Sequence, residues 1–102
     1  MYVRQIFLKF TASFQSEESV DLISRETNQV FNQIEPIRKF EVLQPADAEA
    51  KKAWDLNLVV YFDSLKDIET YKVHPEHRTY VDEFLSNKIE VIKAWNFEID
   101  KN

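Results

Sequence analysis

Leu56-Asn57-Leu58-Val59-Val60-Tyr61-Phe62 is the stretch that decides the architecture. Leu56, Leu58, Val60 and Phe62 fall on one side of a strand, Val59 and Tyr61 on the other, with only Asn57 polar among them. A sheet wetted on one face alternates apolar with polar residues; this segment is apolar in both directions. The closing segment repeats the pattern, with Val91, Trp95, Phe97 and Ile99 on one side and Ile92 and Ala94 on the other. Two helices cover one face of a sheet. The second face would expose more than the few hundred Å² that monomers tolerate. The pattern therefore predicts a two-fold homodimer, two sheets packed face to face over roughly 1,600 Å² in total.

The rest of the chain supplies the elements such a sheet needs. Val3 to Phe10 alternates, with Arg4, Ile6, Leu8 and Phe10 on one face, and predicts a first strand. Ser16 is placed as an N-cap, and Glu17 and Glu18 suit the positive end of a helix. Val20, Ile23, Thr27, Val30, Phe31 and Ile34 follow at helical spacing until Pro36. Ile37 to Leu43 reads as a second strand closed by Pro45, and Ala46 to Ala53, polar and without an apolar face, as an exposed mobile loop. Asp55 to Phe62 is the third strand. Ser64 caps a helix carrying Leu65, Ile68 and Tyr71, a further helix runs from the His74-Pro75 bend to about Leu85, and Ile89 to Ile99 closes the sheet. The order β-α-β-β-α-β predicts one α+β domain over residues 1–102, a ferredoxin-like four-stranded antiparallel sheet with helices on one side.

Composition removes several function classes. The net charge of −5 argues against nucleic acid, which needs a basic face. No glycine is present, so phosphate cradles built on Walker or dinucleotide fingerprints are excluded. No cysteine is present either, which removes disulfides, thiol nucleophiles and thiolate metal sites and fits a reducing compartment. No apolar run approaches the ~20 residues of a membrane span. Met1 to Phe10, carrying Arg4 and Lys9, is unlike a signal peptide, and the expected location is cytoplasmic.

Chemistry concentrates in Tyr71-Lys72-Val73-His74-Pro75-Glu76-His77, which holds both histidines of the chain. A residue before proline leaves the helical region, so His74 sits at a corner, and Pro75 suits the first position of the next helix. A corner histidine braces or caps backbone. His77 lies in the first turn of the new helix on the face of Val81 and Phe84, and the helix N-terminus disfavours an added positive charge there. It is either a base in a cavity or a buried histidine bonded to a carbonyl or to Tyr71. Tyr71 continues the Leu65–Ile68 stripe inward, with a hydroxyl that needs a partner. Arg4 shares a face with Ile6, Leu8 and Phe10. It either snorkels to water or enters the pocket to bind a carboxylate or stabilise an enolate, with Asn57 and Asn96 as candidate neighbours. Two histidines around a proline lack a third ligand, so no metal is expected.

The element order, Phe62-Asp63-Ser64-Leu65 through Tyr71, and Tyr71-x-x-His74-Pro75-x-His77 together resemble the stress-responsive A/B-barrel (Dabb) family. Lys9-Phe10 and Trp95-Asn96-Phe97-Glu98 add to the likeness. The resemblance implies a dimeric α+β barrel with a cavity in each subunit between sheet and helices. One branch resembles polyketide cyclases, which close rings without a cofactor; there the matching tyrosine and second histidine act, implying Tyr71 and His77 as acid and base here. The chain departs from the pattern at Arg4, where members often carry a histidine, and at Leu56, where the cyclase-like branch has one. The reading is a homodimer of undefined biochemical activity that binds a small organic ligand near Tyr71 and His77. Arg4, Ile6, Leu8, Leu58, His74 and Val81 complete the expected site, with no cofactor. The alternatives are a cofactor-independent cyclase, isomerase or lyase, and a stress-linked structural module in which the motif only shapes the bend.

Overall fold

The computed structural model describes residues 1–100. β1 (Tyr2–Phe10), α1 (Glu17–Phe31), β2 (Lys39–Leu43), α2 (Ala48–Ala53), β3 (Leu56–Phe62), α3 (Leu65–Val73), α4 (Pro75–Thr79) and β4 (Ile89–Glu98) follow in order. A wider π-type turn (Tyr80–Leu85) continues α4. The four strands form one sheet in the order β2-β3-β1-β4, antiparallel at every pairing. This is the ferredoxin-like arrangement expected from the pattern.

Cross-strand pairing fixes which side chains share a face. Phe40, Val60, Arg4 and Asn96 form one row, and Val42, Leu58, Ile6 and Ala94 the next, both towards the helices. On that side the core closes: Leu8, Phe10, Leu56, Val60 and Phe62 are wholly buried against Ile23, Phe31, Ile68 and Tyr71. Rows on the other side run Lys39–Tyr61–Val3–Phe97, Glu41–Val59–Gln5–Trp95 and Leu43–Asn57–Phe7–Lys93. There Leu43, Val91, Trp95 and Phe97 stand exposed, both aromatics at 53%. The Asn57 Oδ1 on this face is buried without a hydrogen-bond partner.

The apolar stripe of α1 lies inward through Val20, Ile23, Thr27 and Phe31, and the Ser16 hydroxyl accepts the Ser19 N–H as its N-cap. The helix stops at Phe31, short of Pro36, because the chain turns at 32–33 to drop Ile34 into the core. β2 begins at Lys39, two residues later than its apolar pattern, since Ile37 still hydrogen-bonds back to Ile34. The expected loop at 46–53 is instead largely helical. Asp47 caps α2 by accepting the Ala50 N–H at 2.8 Å, and no residue of α2 is buried. A cap and good helix formers hold it without an apolar face. Asp55, 2% exposed, locks the far end of the sheet by accepting the Phe10 N–H at 2.8 Å, with the Lys9 ammonium 3.7 Å away.

Candidate functional site

α3 delivers Tyr71 into the core. Ser64 caps it through the Asp67 N–H, and Ile68 and Tyr71 are its buried residues. The chain leaves the helical region at His74 (ψ 135°), and Pro75 opens α4. His74 Nδ1 accepts the Glu76 N–H at 3.1 Å, so this imidazole is used as a cap. It borders a hollow of its own with Glu35, Pro36, Arg38, Asp63, Asp67 and Thr70.

One turn later the same corner lays the His77 ring on Tyr71, centroids 4.2 Å apart. His77 Nδ1 lies 3.0 Å from the Lys72 carbonyl. A carbonyl only accepts, so Nδ1 carries the hydrogen and Nε2 keeps its lone pair. Burial holds the His77 pKa below its ordinary value; the Lys72 bond opposes this, while the Arg78 and Arg4 charges add to it. Tyr71 is 1% exposed, with Phe31 and Phe62 edge-on to its ring. Nothing among the described residues hydrogen-bonds its hydroxyl. Burial raises its pKa well above the usual phenol value, and the charge of Arg4 pulls it partly back. At neutral pH the pair is thus a phenol that donates and an imidazole that accepts.

Arg4 completes the corner. The β1–β4 register sets it opposite Asn96, whose Oδ1 accepts from Nη1 at 2.8 Å. No carboxylate among the described residues forms an ion pair with it. Asn57, the other candidate neighbour, sits on the opposite face of the sheet. The structure therefore brings Tyr71, His77 and Arg4 within electrostatic reach of one another and places His74 apart from them. Ile6, Leu8 and Leu58 are 5%, 0% and 1% exposed and belong to the packed core layer, with Val81 half-buried against it. The helices stop short of β4: Ile92, on the helix-facing side, is 51% exposed. Asn96 as the partner of Arg4, the Tyr80–Thr27 hydroxyl contact behind Tyr71 and the wide turn that seats Tyr80 carry no short-range sequence signal.

The sequence profile of the stress-responsive A/B barrel domain matches residues 3–99. A search of curated proteins finds no significant match. Among solved structures, a protein from Arabidopsis thaliana superposes with a TM-score of 0.83 at 16% identity, covering 100% of this chain and 98% of its own. A dimeric ferredoxin-like protein of unknown function from Bacteroides fragilis gives 0.77 at 22% identity, covering 96% and 95%. The hydroxynitrile lyase of Passiflora edulis gives 0.78 at 17% identity, covering 99% and 95%. At such identities these likenesses speak for the fold. The profile match spans the strands, the Tyr71–His77 corner and the closing strand alike, and by it the chain belongs to the stress-responsive A/B barrel (Dabb) domain family.

Proposed function

We propose that this chain is a homodimeric Dabb protein that binds a small organic ligand at the corner formed by Tyr71, His77 and Arg4. The observation that carries the reading is Tyr71: a side chain almost wholly buried beside a half-buried histidine, whose hydroxyl has no hydrogen-bond partner among the described residues. Asn57 Oδ1 is the side-chain polar atom sealed without a partner among the described residues; the Tyr71 hydroxyl is not sealed, so a bound ligand or a water can reach it and satisfy it. Ile6, Leu8 and Leu58 support the corner from the packed core layer rather than by contact, and Val81 lies half-buried against that layer. His74 contributes by holding the corner rather than by contact. The homodimer rests on the exposed Leu43, Val91, Trp95 and Phe97, on the unpaired Asn57 carbonyl within the same face, and on the dimeric Bacteroides fragilis relative. Screening small aromatic acids and ketones by thermal shift tests the site. A ligand that stabilises the wild type and fails to stabilise Tyr71→Phe and His77→Ala, both still folded, supports it; stabilisation unchanged in both variants overturns it.

A second reading is favoured by the opposed protonation states: Tyr71 donates and His77 Nε2 accepts, the arrangement cofactor-free enolisation requires. The likeness to a lyase, the Passiflora edulis hydroxynitrile lyase, is compatible with this. His77 would take a proton from carbon while Tyr71 hydrogen-bonds the carbonyl oxygen that gains negative charge. Deuterium uptake at the α-carbon of phenylacetone, followed by NMR, is expected to fall by about 100-fold or more in His77→Ala. No acceleration by the wild type would leave binding alone. A structural module remains if no ligand binds and His77→Ala merely loosens the bend between α3 and α4.

A further inference from the structure

We infer that the ligand at this corner is a carboxylate-bearing compound whose anion is held by Arg4 and whose apolar body lies along the uncovered helix-facing side of β4. This deepens the ligand-site reading above and rests on it. A guanidinium carries five N–H donors in a planar fork. Here one bond is accounted for, to Asn96 Oδ1 at 2.8 Å, and no carboxylate among the described residues forms an ion pair with the group. The side chain is half-buried on the helix-facing side of β1, in the same row as Val60 and Asn96.

Its surroundings select the sign and the shape of a counter-ion. The Tyr71 hydroxyl, unpartnered among the described residues on a side chain almost wholly buried, offers a second hydrogen-bond donor to the same corner. Asn96 accepts from Arg4 and thereby orients its fork. From Asn96 the helix-facing side of β4 continues through Ala94 to Ile92, the latter 51% exposed. The four steps from Asn96 to Ile92 run roughly 13 Å along the strand, about the length of a bicyclic or short acyl carboxylate. Arg78 and Asp82, whose charges both act on His77, pair with each other at 2.9 Å, and Glu98, two residues from Asn96 on the same side of β4, is not free. His77, its Nδ1–H given to the Lys72 carbonyl, keeps Nε2 unprotonated.

The probe pair is 2-naphthoate and its neutral isostere 2-naphthamide, titrated by calorimetry and by NMR shifts of Tyr71 and His77. Wild type is expected to bind the acid about 10- to 100-fold more tightly than the amide, the range of a charge-assisted contact. Arg4→Met should bring the two to parity while retaining amide binding, and Arg4→Lys should recover part of the preference. Equal affinity for acid and amide in the wild type overturns the carboxylate assignment and leaves the site standing. Absence of any shift at Tyr71 and His77 with both probes overturns the site and the assignment together. Acid preference that survives Arg4→Met in a folded protein places the anion elsewhere and also overturns the inference.

Discussion

Two tyrosines with inward hydroxyls meet opposite fates. Tyr80 contacts the Thr27 hydroxyl, which itself donates to the Ile23 carbonyl at 2.7 Å, so that chain of bonds is complete. The Tyr71 hydroxyl has no such partner. In urea unfolding, Tyr80→Phe is therefore expected to cost about 1 kcal/mol, whereas Tyr71→Phe should change stability by less than about 0.5 kcal/mol. An equal loss in both would mean that Tyr71 is satisfied within the fold. His77 gives a pH signature of definite sign. Its folded pKa lies below the ordinary 6.5, so the unfolded chain takes up a proton first. Stability should fall as the pH drops below about 6.5 until the folded group titrates in turn, and His77→Gln should remove that component of the slope. The residue types at this corner were legible: the helical stripe turns Tyr71 inward, and proline fixes the bend. The choice of Asn96 over Asn57 as the neighbour of Arg4 was not, because two residues 92 apart in sequence meet only through the β1–β4 register.

Helices α1 and α2 are both capped by a side-chain oxygen, yet they differ in what the cap supports. α1 buries Val20, Ile23, Thr27 and Phe31 behind its Ser16 cap; α2 buries nothing behind Asp47. Ser16→Ala should lower global stability by about 1 kcal/mol. Asp47→Ala should leave the unfolding midpoint nearly unchanged while the amides of α2 lose their hydrogen-exchange protection. The contrast also explains what could be read beforehand. A 3.6-residue apolar period announced α1, but α2 has no such period, and its signals were an aspartate three residues before Ala50 and a short run of good helix formers. The turn at Tyr80–Leu85 was hidden for a related reason. A π-type turn adds a residue per turn, so it seats Tyr80 and Leu85 in the core at a spacing that an α-helical template does not anticipate.

For the whole molecule, the ferredoxin-like sheet followed from the β-α-β-β-α-β order of elements, while two segments that are apolar on both sides asked for a second layer over its free face. The proposed dimer makes its strongest demand at Trp95 and Phe97, each 53% exposed in the single chain. Trp95→Glu should raise the dimer dissociation constant by at least about 10-fold, equivalent to 1.4 kcal/mol, as measured by sedimentation, with the helix-facing core intact by circular dichroism. A wild type that sediments as a 12.2 kDa species at micromolar concentration would remove the dimer. The sequence holds two tryptophans, and the structure sets both on the side of the sheet away from α1 and α3: Trp95 in β4, and Trp54, at the end of α2, against Phe7 at 5.5 Å. Indole emission should consequently respond when subunits separate on dilution and stay nearly silent when Tyr71 and His77 take up a guest, so one fluorimeter can follow assembly without interference from occupancy.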